Sequence, residues 1–169
     1  MAGDLGKVLL VGGTGMLAGL AAYLAPRSAP LVLAARRPLE LSARLGADPV
    51  AFDWNDRASV ETLLTQEYDL VISWLHRDGL WLTSLLEKTL RPAGRSIRVH
   101  NSRSVDPQVR RKLDPPPRPD ITRQIAVLAW EQRRGSRRWL THDQICNGVI
   151  ELVRNPHEPL LMIGDHLDD

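Results

Sequence analysis

The sequence lacks several residue types and patterns that mark other classes of protein. Cys146 is its only cysteine, which excludes an intrachain disulfide and a multi-cysteine metal site. No stretch approaches the roughly 20 apolar residues that a membrane-spanning helix needs. The first apolar run, residues 8–11, is too short for a signal peptide. These absences predict a soluble, cytoplasmic protein with no membrane partner.

The composition is that of an ordinary folded domain. Hydrophobic residues make up 43% of the chain and charged residues 25%, a balance that favours a buried core over disorder. A length of 169 residues fits one domain of common size. Since the sequence shows no internal repeat and no linker, we expect a single domain over residues 1–169.

Basic residues are concentrated in one segment. Arg91–Arg138 contains 13 Arg or Lys and four Asp or Glu, although the whole chain has a net charge of only +2. Such a block attracts phosphate groups, so nucleic-acid binding is one hypothesis. Its only aromatic residue is Trp130, which argues against a stacking platform for single strands. We therefore favour a solvated arginine-rich face and keep nucleic-acid binding as the weaker hypothesis.

Short apolar runs alternate with helical patterns along the chain. Strands are expected at residues 7–11, 31–34, 50–52, 69–75, 96–101, 124–131 and 160–163. Helices are expected after residue 16, after Pro38 and Asp56, over about 80–90, after Asp106, and from a capping box at Thr141 to about Arg154. The alternation of polar and apolar residues over 96–101 predicts a strand with one less protected face. Together these patterns predict an α/β fold with a doubly wound, mostly parallel, Rossmann-like sheet of about seven strands between two helical layers.

A glycine-rich turn follows the first strand and precedes the first helix. It reads Gly12-Gly13-Thr14-Gly15-Met16-Leu17-Ala18. In this context Gly12 permits a tight turn, Gly15 lets a pyrophosphate approach the backbone, and the helix N-terminus attracts the phosphates. The pattern predicts a dinucleotide site, with an unliganded structural turn as the alternative.

The end of the second strand indicates which dinucleotide is preferred. Domains that prefer NAD carry an acidic residue there, which binds the 2′-hydroxyl of the adenosine ribose. This chain has Arg36-Arg37 instead. Because a guanidinium pairs with a 2′-phosphate, the sequence predicts NADP(H) as the cofactor, unless the two arginines are simply exposed surface residues.

With these residues the chain resembles the short-chain dehydrogenase/reductase superfamily over about residues 5–105. The resemblance implies that Asp53 and Trp54 lie beside the adenine, and that residues 73–76 run along the ribose and nicotinamide. It also implies a small-molecule substrate and, by analogy alone, a homo-oligomer. The predicted cofactor-binding residues are Gly12, Gly13, Thr14, Gly15, Met16, Leu17, Arg36, Arg37, Asp53, Trp54, Ser73, Trp74, Leu75 and His76.

The sequence departs from that superfamily at the catalytic residues. The superfamily uses a Tyr-x-x-x-Lys pair, whereas Tyr23 and Tyr68 are followed four residues later by Arg27 and Ile72. Lys112 is preceded at that spacing by Gln108, an amide that cannot act as an acid. The usual proton relay is therefore absent.

Other residues are candidates for the missing chemistry. His76 follows the fourth strand and could act as an acid near neutral pH, and Ser102, or Ser104, follows the fifth strand and could bind a carbonyl oxygen. Each is also a common residue type at a strand end. Two hypotheses follow: an NADP(H)-dependent oxidoreductase of unusual mechanism on a small carbonyl or alcohol, with His76 and Ser102 as catalytic residues, or a catalytically silent NADP(H)-binding sensor or partner-binding module.

Overall fold

The structure, a computed structural model, describes residues 5–165. Its strands are β1 (Val8–Val11), β2 (Leu31–Ala35), β3 (Asp48–Ala51), β4 (Tyr68–Trp74), β5 (Leu90–His100), β6 (Thr122–Leu128), β7 (Glu131–Arg133), β8 (Ser136–Arg138) and β9 (Leu160–Ile163). Seven of them form one sheet in the order β3-β2-β1-β4-β5-β6-β9, with every neighbouring pair parallel. Strands β7 and β8 form a separate antiparallel hairpin.

Helices cover both faces of the sheet. They are α1 (Ala18–Leu24), α2 (Leu39–Leu45), α3 (Arg57–Leu64), α4 (Thr83–Lys88), α5 (Pro107–Leu113) and α6 (His142–Arg154). The apolar sides of α1 and α6 pack on one face, and those of α3 and α4 pack on the other. The strand order reverses between β1 and β4. The predicted doubly wound α/β fold with a seven-stranded parallel sheet is confirmed.

The central strands are buried on both faces, which explains their sequence. All four residues of β1 and all five of β2 are buried. A strand covered by helices on both sides needs apolar residues at every position, so the runs Val8–Val11 and Leu31–Ala35 show no alternation. The helix starts also follow local chemistry. Asp56 accepts a hydrogen bond from the Ala58 amide, and Thr141 forms a reciprocal capping box with Gln144.

Several predicted boundaries were wrong. The first helix begins at Ala18, because the turn extends through Leu17. The helix expected over 80–90 is a 3-10 helix (Arg77–Leu82) followed by the short α4. The third strand is Asp48–Ala51, and the sixth ends at Leu128. The hairpin of β7 and β8 was not predicted from the sequence, because its strands are polar and only three residues long. Arg134 and Gly135 form its turn, with positive φ angles of 49° and 79°.

The prediction that the fifth strand has one less protected face was also wrong. Ser96, Arg98 and His100 are buried, at 2%, 1% and 4% exposure. Two buried carboxylates cover them from outside the strand. Glu87 of α4 accepts hydrogen bonds from Ser96 Oγ and Arg98 Nε, both at 2.8 Å. Asp114 accepts from Arg98 Nη1 at 2.8 Å and contacts His100 Nε2 at 3.0 Å. The polar residues of β5 thus face an internal ionic network.

Some guanidinium groups of the basic segment are bound within the fold, although most of its basic residues are exposed. Arg123 donates to both oxygens of Glu87 and to the carbonyl of Pro115. Arg118 donates to the Leu90 carbonyl at 2.9 Å. Arg110 donates to the Val105 carbonyl at 2.7 Å. Arg118 and Arg123 thus fix the segment after α5 against the sheet, whereas Arg110 binds the residues just before its own helix.

Candidate dinucleotide-binding cleft

A cavity of about 740 Å³ opens at the carboxyl ends of β1 to β4, beside the point where the strand order reverses. In parallel α/β sheets, ligands bind at this location. The volume lies within the range usual for small-molecule sites. The cavity is lined by Val11, Gly12, Thr14, Gly15, Met16, Ala35, Arg36, Arg37, Phe52, Trp54, Trp74, Leu75, His76 and Trp139.

The glycine turn forms the floor of the cavity. Gly12 has a φ of +83°, and a Cβ there would lie 2.5 Å from the Trp74 carbonyl oxygen, so a side chain is excluded on both counts. Its amide donates to the Ala34 carbonyl at 2.9 Å, which ties the turn to β2. A Cβ at Gly15 would meet no atom within 4 Å, so this backbone is open toward the cavity. The turn thus offers backbone to a ligand without an intervening side chain.

Gly13 and Leu17 face the protein and do not line the cavity. A Cβ at Gly13 would lie 2.5 Å from Leu10 Cδ2, and Leu17 is fully buried in the core under α1. Both residues let the turn pack closely against the sheet. Their predicted cofactor contacts stay a prediction, and what the structure adds is a packing role for each.

Arg36 and Arg37 form the cationic wall of the cavity. Both side chains follow the end of β2 and are exposed. Neither makes an ion pair with any residue in 5–165. Two guanidinium groups without carboxylate partners leave their donors available to an anion in the cavity.

Aromatic rings line the cavity beyond these arginines. The imidazole of His76 lies 6.1 Å from the Trp54 ring and 5.8 Å from the Trp74 ring, measured between ring centroids. Trp54 follows β3 and packs over Gly79, where a Cβ would lie 2.9 Å from its Cδ2 atom. His76 is exposed and therefore accessible from the cavity. These planar groups can stack on flat rings of a ligand.

Asp53 and Ser73 lie next to the cavity without lining it. Asp53 Oδ1 accepts a hydrogen bond from the Asn55 amide at 2.9 Å, so it shapes the loop that carries Trp54. Ser73 is buried within β4, where it pairs with Val11 of β1. Their contacts with a cofactor stay predictions.

The candidate hydroxyl groups lie elsewhere. Ser102 begins a 3-10 helix (Ser102–Val105) and is not among the residues that line the cavity, and Ser104 in the same helix is buried. Tyr68 is buried, and its hydroxyl contacts the Leu63 carbonyl at 3.4 Å. Tyr23 lies on α1 under the guanidinium of Arg27. Neither tyrosine lines the cavity, so the geometry supplies no phenol there.

Four cavity residues were not predicted from the sequence: Val11, Ala35 and Phe52, each of which adjoins a predicted residue, and Trp139. Trp139 lies between the β7–β8 hairpin and α6, more than sixty residues after the last lining residue of β4, and it is 48% exposed. No motif connects it to the glycine turn. Only the return of the chain to the carboxyl end of the sheet after β6 could have indicated its location.

Cys146 is the remaining candidate for chemistry, and its surroundings indicate a structural role. Cys146 is buried on α6, and its thiol donates to the Met16 carbonyl at 3.3 Å. Burial raises the pKa of this thiol, so it is not an activated thiolate. Within residues 5–165, no cluster of His, Cys, Asp or Glu is suited to holding a metal ion. None of the helices in that range is long and apolar enough to cross a membrane.

Solved structures with the same fold bind nicotinamide dinucleotides. BdcA in complex with NADPH aligns with a TM-score of 0.61 at 12% identity, covering 97% of this chain and 95% of BdcA. A short-chain dehydrogenase/reductase from Serratia marcescens aligns at 0.63 and 12% identity, covering 94% of this chain and 96% of that one. The NADH-dependent reductase A1-R′ complexed with NAD aligns at 0.63 and 14% identity, covering 97% and 98%.

These similarities establish the fold that the chain shares with short-chain dehydrogenase/reductases. No family model matches the sequence, and no curated protein matches it. At such low identity the shared fold does not transfer an activity.

Proposed function

We propose that this protein binds NADP(H) in the cleft at the ends of β1 to β4 and acts as an oxidoreductase. The observation that carries the proposal is the combination of an open glycine turn with two arginines at the end of β2 that make no ion pair within residues 5–165. When bound there, a reduced nicotinamide would supply a hydride. Dinucleotides bound to structural neighbours, NADPH to BdcA and NAD to A1-R′, support a cofactor of this class.

The residues present fit such a cofactor. The pyrophosphate needs close approach to backbone, and the position of a Cβ at Gly15 is open space. The N-terminal end of α1 lies directly behind the turn and favours negative charge. The indole of Trp54, which follows β3, lines the cavity and is suited to stacking on an adenine ring. The pyrophosphate and the adenine thus each have matching chemistry in the cavity.

Arg36 and Arg37 support a preference for the 2′-phosphorylated form. Glu40, the nearest carboxylate in sequence after β2, is on α2 and does not line the cavity. A ribose with free hydroxyl groups would therefore find no carboxylate acceptor there, whereas a phosphate would find two guanidinium groups. This chemistry favours NADPH over NADH.

A catalytically silent binding module is the second candidate, and the positions of the tyrosines favour it. Burial raises the pKa of Tyr68 to about 12, and its hydroxyl contacts the Leu63 carbonyl, away from the cavity. Tyr23 lies on α1. Without a phenol in the cleft, the chain lacks the acid with which the superfamily protonates an alkoxide. His76 as a substitute acid, with Ser102 as carbonyl-binding partner, stays a hypothesis.

The test of the cofactor assignment is Arg36→Ala, with Arg44→Ala as the matched control. Arg44 is an exposed arginine in the last turn of α2 and does not line the cavity. Losing one charge-assisted bond to phosphate costs about 1.5–3 kcal/mol, or roughly 10- to 150-fold in affinity. We expect that loss for NADPH with Arg36→Ala, little change for NADH, and no change with Arg44→Ala. Equal losses for both cofactors would show that the 2′-phosphate does not lie at Arg36.

The two candidate functions are separated by turnover. Steady-state oxidation of NADPH in the presence of aldehydes, ketones and quinones should show activity with at least one class if the protein is an oxidoreductase. Tight NADPH binding without turnover of any of them would favour the silent module.

A further inference from the structure

Among the described residues that line the cavity, Trp139 alone does not come from the ends of β1 to β4. Every other lining residue lies within 11–16, 35–37, 52–54 or 74–76. The indole of Trp139 is 48% exposed, so its ring is accessible from the cavity. Because the indole lines the cavity, a ligand bound there would cover it.

The anchoring of the neighbouring residue shows which end of the cavity Trp139 occupies. Leu140 is buried, and a Cβ at Gly164, just after β9, would lie 2.8 Å from Leu140 Cδ2. Strand β9 is at one edge of the sheet and β3 at the other. Trp139 therefore approaches from the β6–β9 side, opposite Arg36 and Trp54. If the phosphorylated ribose lies at Arg36, the nicotinamide half extends toward Trp139.

The hairpin before Trp139 is fastened at its base. The Asp165 amide donates to the Trp130 carbonyl at 2.7 Å, and Asp165 Oδ2 accepts from the Gln132 amide at 3.2 Å. The guanidinium of Arg137 lies 4.4 Å from the centre of the Trp130 ring. Arg138 forms an ion pair with Glu131 across the hairpin at 2.6 Å. These contacts hold both ends of the segment that leads into Trp139, so the indole forms a wall with a defined place.

The chemistry of the lining limits which acceptors can react at this end. The described lining residues include no Tyr, Lys, Cys, Asp or Glu. Histidine is the only general-acid residue type among them, and the His76 ring lies just after β4, 6.1 Å from the Trp54 ring and 5.8 Å from the Trp74 ring between centroids. Hydride addition to a simple ketone gives a strongly basic alkoxide that requires a positioned acid. Hydride addition to a quinone gives a delocalised phenolate-type anion, with a conjugate acid near the pKa of a phenol, about 10, which water can protonate.

We propose, on the basis of the proposed NADP(H) function, that Trp139 forms the wall of the substrate subsite and that the hydride acceptor is a planar quinone stacked on its indole. The quinone gains a hydride, which is two electrons and one proton, from the reduced nicotinamide, and takes a second proton from water to give the hydroquinone. The nicotinamide is oxidised in the same step. Stacking on Trp139 supplies the orientation, and the delocalised product makes a protein-bound acid unnecessary.

The test measures binding of menadione, a methyl-naphthoquinone, to the protein saturated with NADP⁺, which cannot reduce it. Calorimetry gives the affinity for the unmodified protein and for Trp139→Ala, Trp139→Phe and Trp81→Ala. Trp81 is the matched control because it is 53% exposed and does not line the cavity. We expect at least a tenfold loss of menadione affinity in Trp139→Ala, partial recovery in Trp139→Phe, and less than a twofold change in Trp81→Ala.

The outcomes separate this inference from the proposed function. If NADP⁺ does not bind the unmodified protein, the proposed function fails first. If NADP⁺ binds but menadione does not, or if Trp139→Ala and Trp81→Ala bind menadione equally well, only the quinone subsite is refuted. If the alanine variant does not fold, menadione affinity is compared between the unmodified protein and Trp139→Phe, which keeps an aromatic ring in the wall.

Turnover provides an independent readout. With NADPH, menadione should be reduced at a rate that is level between about pH 6 and 8.5, because an imidazole acid would lose its proton in that window whereas water does not. Cyclohexanone, which lacks a delocalised product, should not be reduced. Comparable turnover of cyclohexanone and menadione, or a rate that declines through this window, would overturn the proposal.

Discussion

Removing the carboxylate of Glu87 should destabilise the protein far more than removing an exposed carboxylate. Glu87 accepts hydrogen bonds from Ser96, Arg98 and Arg123, and the side chains of Arg98, Arg123 and Glu87 are only 2%, 7% and 8% exposed. Glu87→Gln keeps the shape but leaves Arg123 without its carboxylate partner and Arg98 with Asp114 alone. Breaking a buried ion pair in this way costs about 3–5 kcal/mol. For a chain of this size that is a fall in Tm of roughly 6–20 °C.

The acid dependence of stability gives the same prediction a second readout. Burial alone would raise the pKa of Glu87, but hydrogen bonds from Arg123 and Arg98, with the charge of Arg98, lower it below the ordinary 4.5. A carboxylate whose pKa is lowered by folding stabilises the native state above its unfolded pKa, and that contribution is lost as the pH falls through the folded value. The unmodified protein should therefore lose stability below about pH 4.5, and Glu87→Gln should lose less over that range.

Urea denaturation at pH 7 and at a series of lower pH values measures both effects. Glu61→Gln is the control, since Glu61 pairs with Arg57 on the surface, where the two side chains are 60% and 92% exposed. That substitution should change the free energy of unfolding by about 0.5 kcal/mol or less. A loss below about 1 kcal/mol for Glu87→Gln, or an unchanged acid limb, would refute the reasoning that the network depends on this carboxylate.

Three further predictions follow from single residues. Gly12→Ala should abolish NADPH binding in a fluorescence titration and lower the Tm, because its Cβ would lie 2.5 Å from the Trp74 carbonyl oxygen. The control Gly46→Ala, where φ is positive but no atom lies within 4 Å of the new Cβ, should cost only about 1 kcal/mol of stability and leave NADPH binding intact. Similar effects of the two substitutions would contradict the steric explanation. Folding raises the pKa of Tyr68 from 10.0 to about 12, so the stability that its neutral form contributes should be full below pH 10 and lost as the pH rises toward 12. Tyr68→Phe should reduce that loss in alkaline denaturation curves. An unchanged curve would show that another group titrates. Thr141→Ala should cost about 1 kcal/mol in urea denaturation, through loss of the cap at the start of α6, and no measurable loss would mean that the capping box is dispensable.

The parts of the fold that follow from local chemistry could be predicted from the sequence. Residues 8–11 and 31–35 are apolar at every position because helices cover both faces of the sheet there. The glycine turn, Arg36 and the cap at Thr141 each depend on residues within a few positions of one another. Such short-range patterns were enough to place most of the candidate cleft.

The parts of the fold that depend on partners distant in the sequence could not be predicted. Alternation in β5 indicates that one side is polar, but only the fold shows that Glu87 and Asp114 bind Arg98 and His100 on that side. Likewise, only the fold shows that Arg118 and Arg123 of the arginine-rich segment bind the Leu90 carbonyl and the Glu87 carboxylate. Trp139 reaches the cleft because the chain returns to it after β6 and the hairpin, and no sequence motif encodes that return.

The central claim is that the cleft holds a 2′-phosphorylated nicotinamide dinucleotide, and calorimetric titration of the unmodified protein with NADPH and with NADH tests it most directly. We expect one NADPH per chain and an affinity for NADPH at least about tenfold higher than for NADH, which corresponds to about 1.4 kcal/mol from Arg36 and Arg37. Equal affinity for the two cofactors would contradict the role of these arginines. Absence of binding to either would contradict the assignment of the cleft itself.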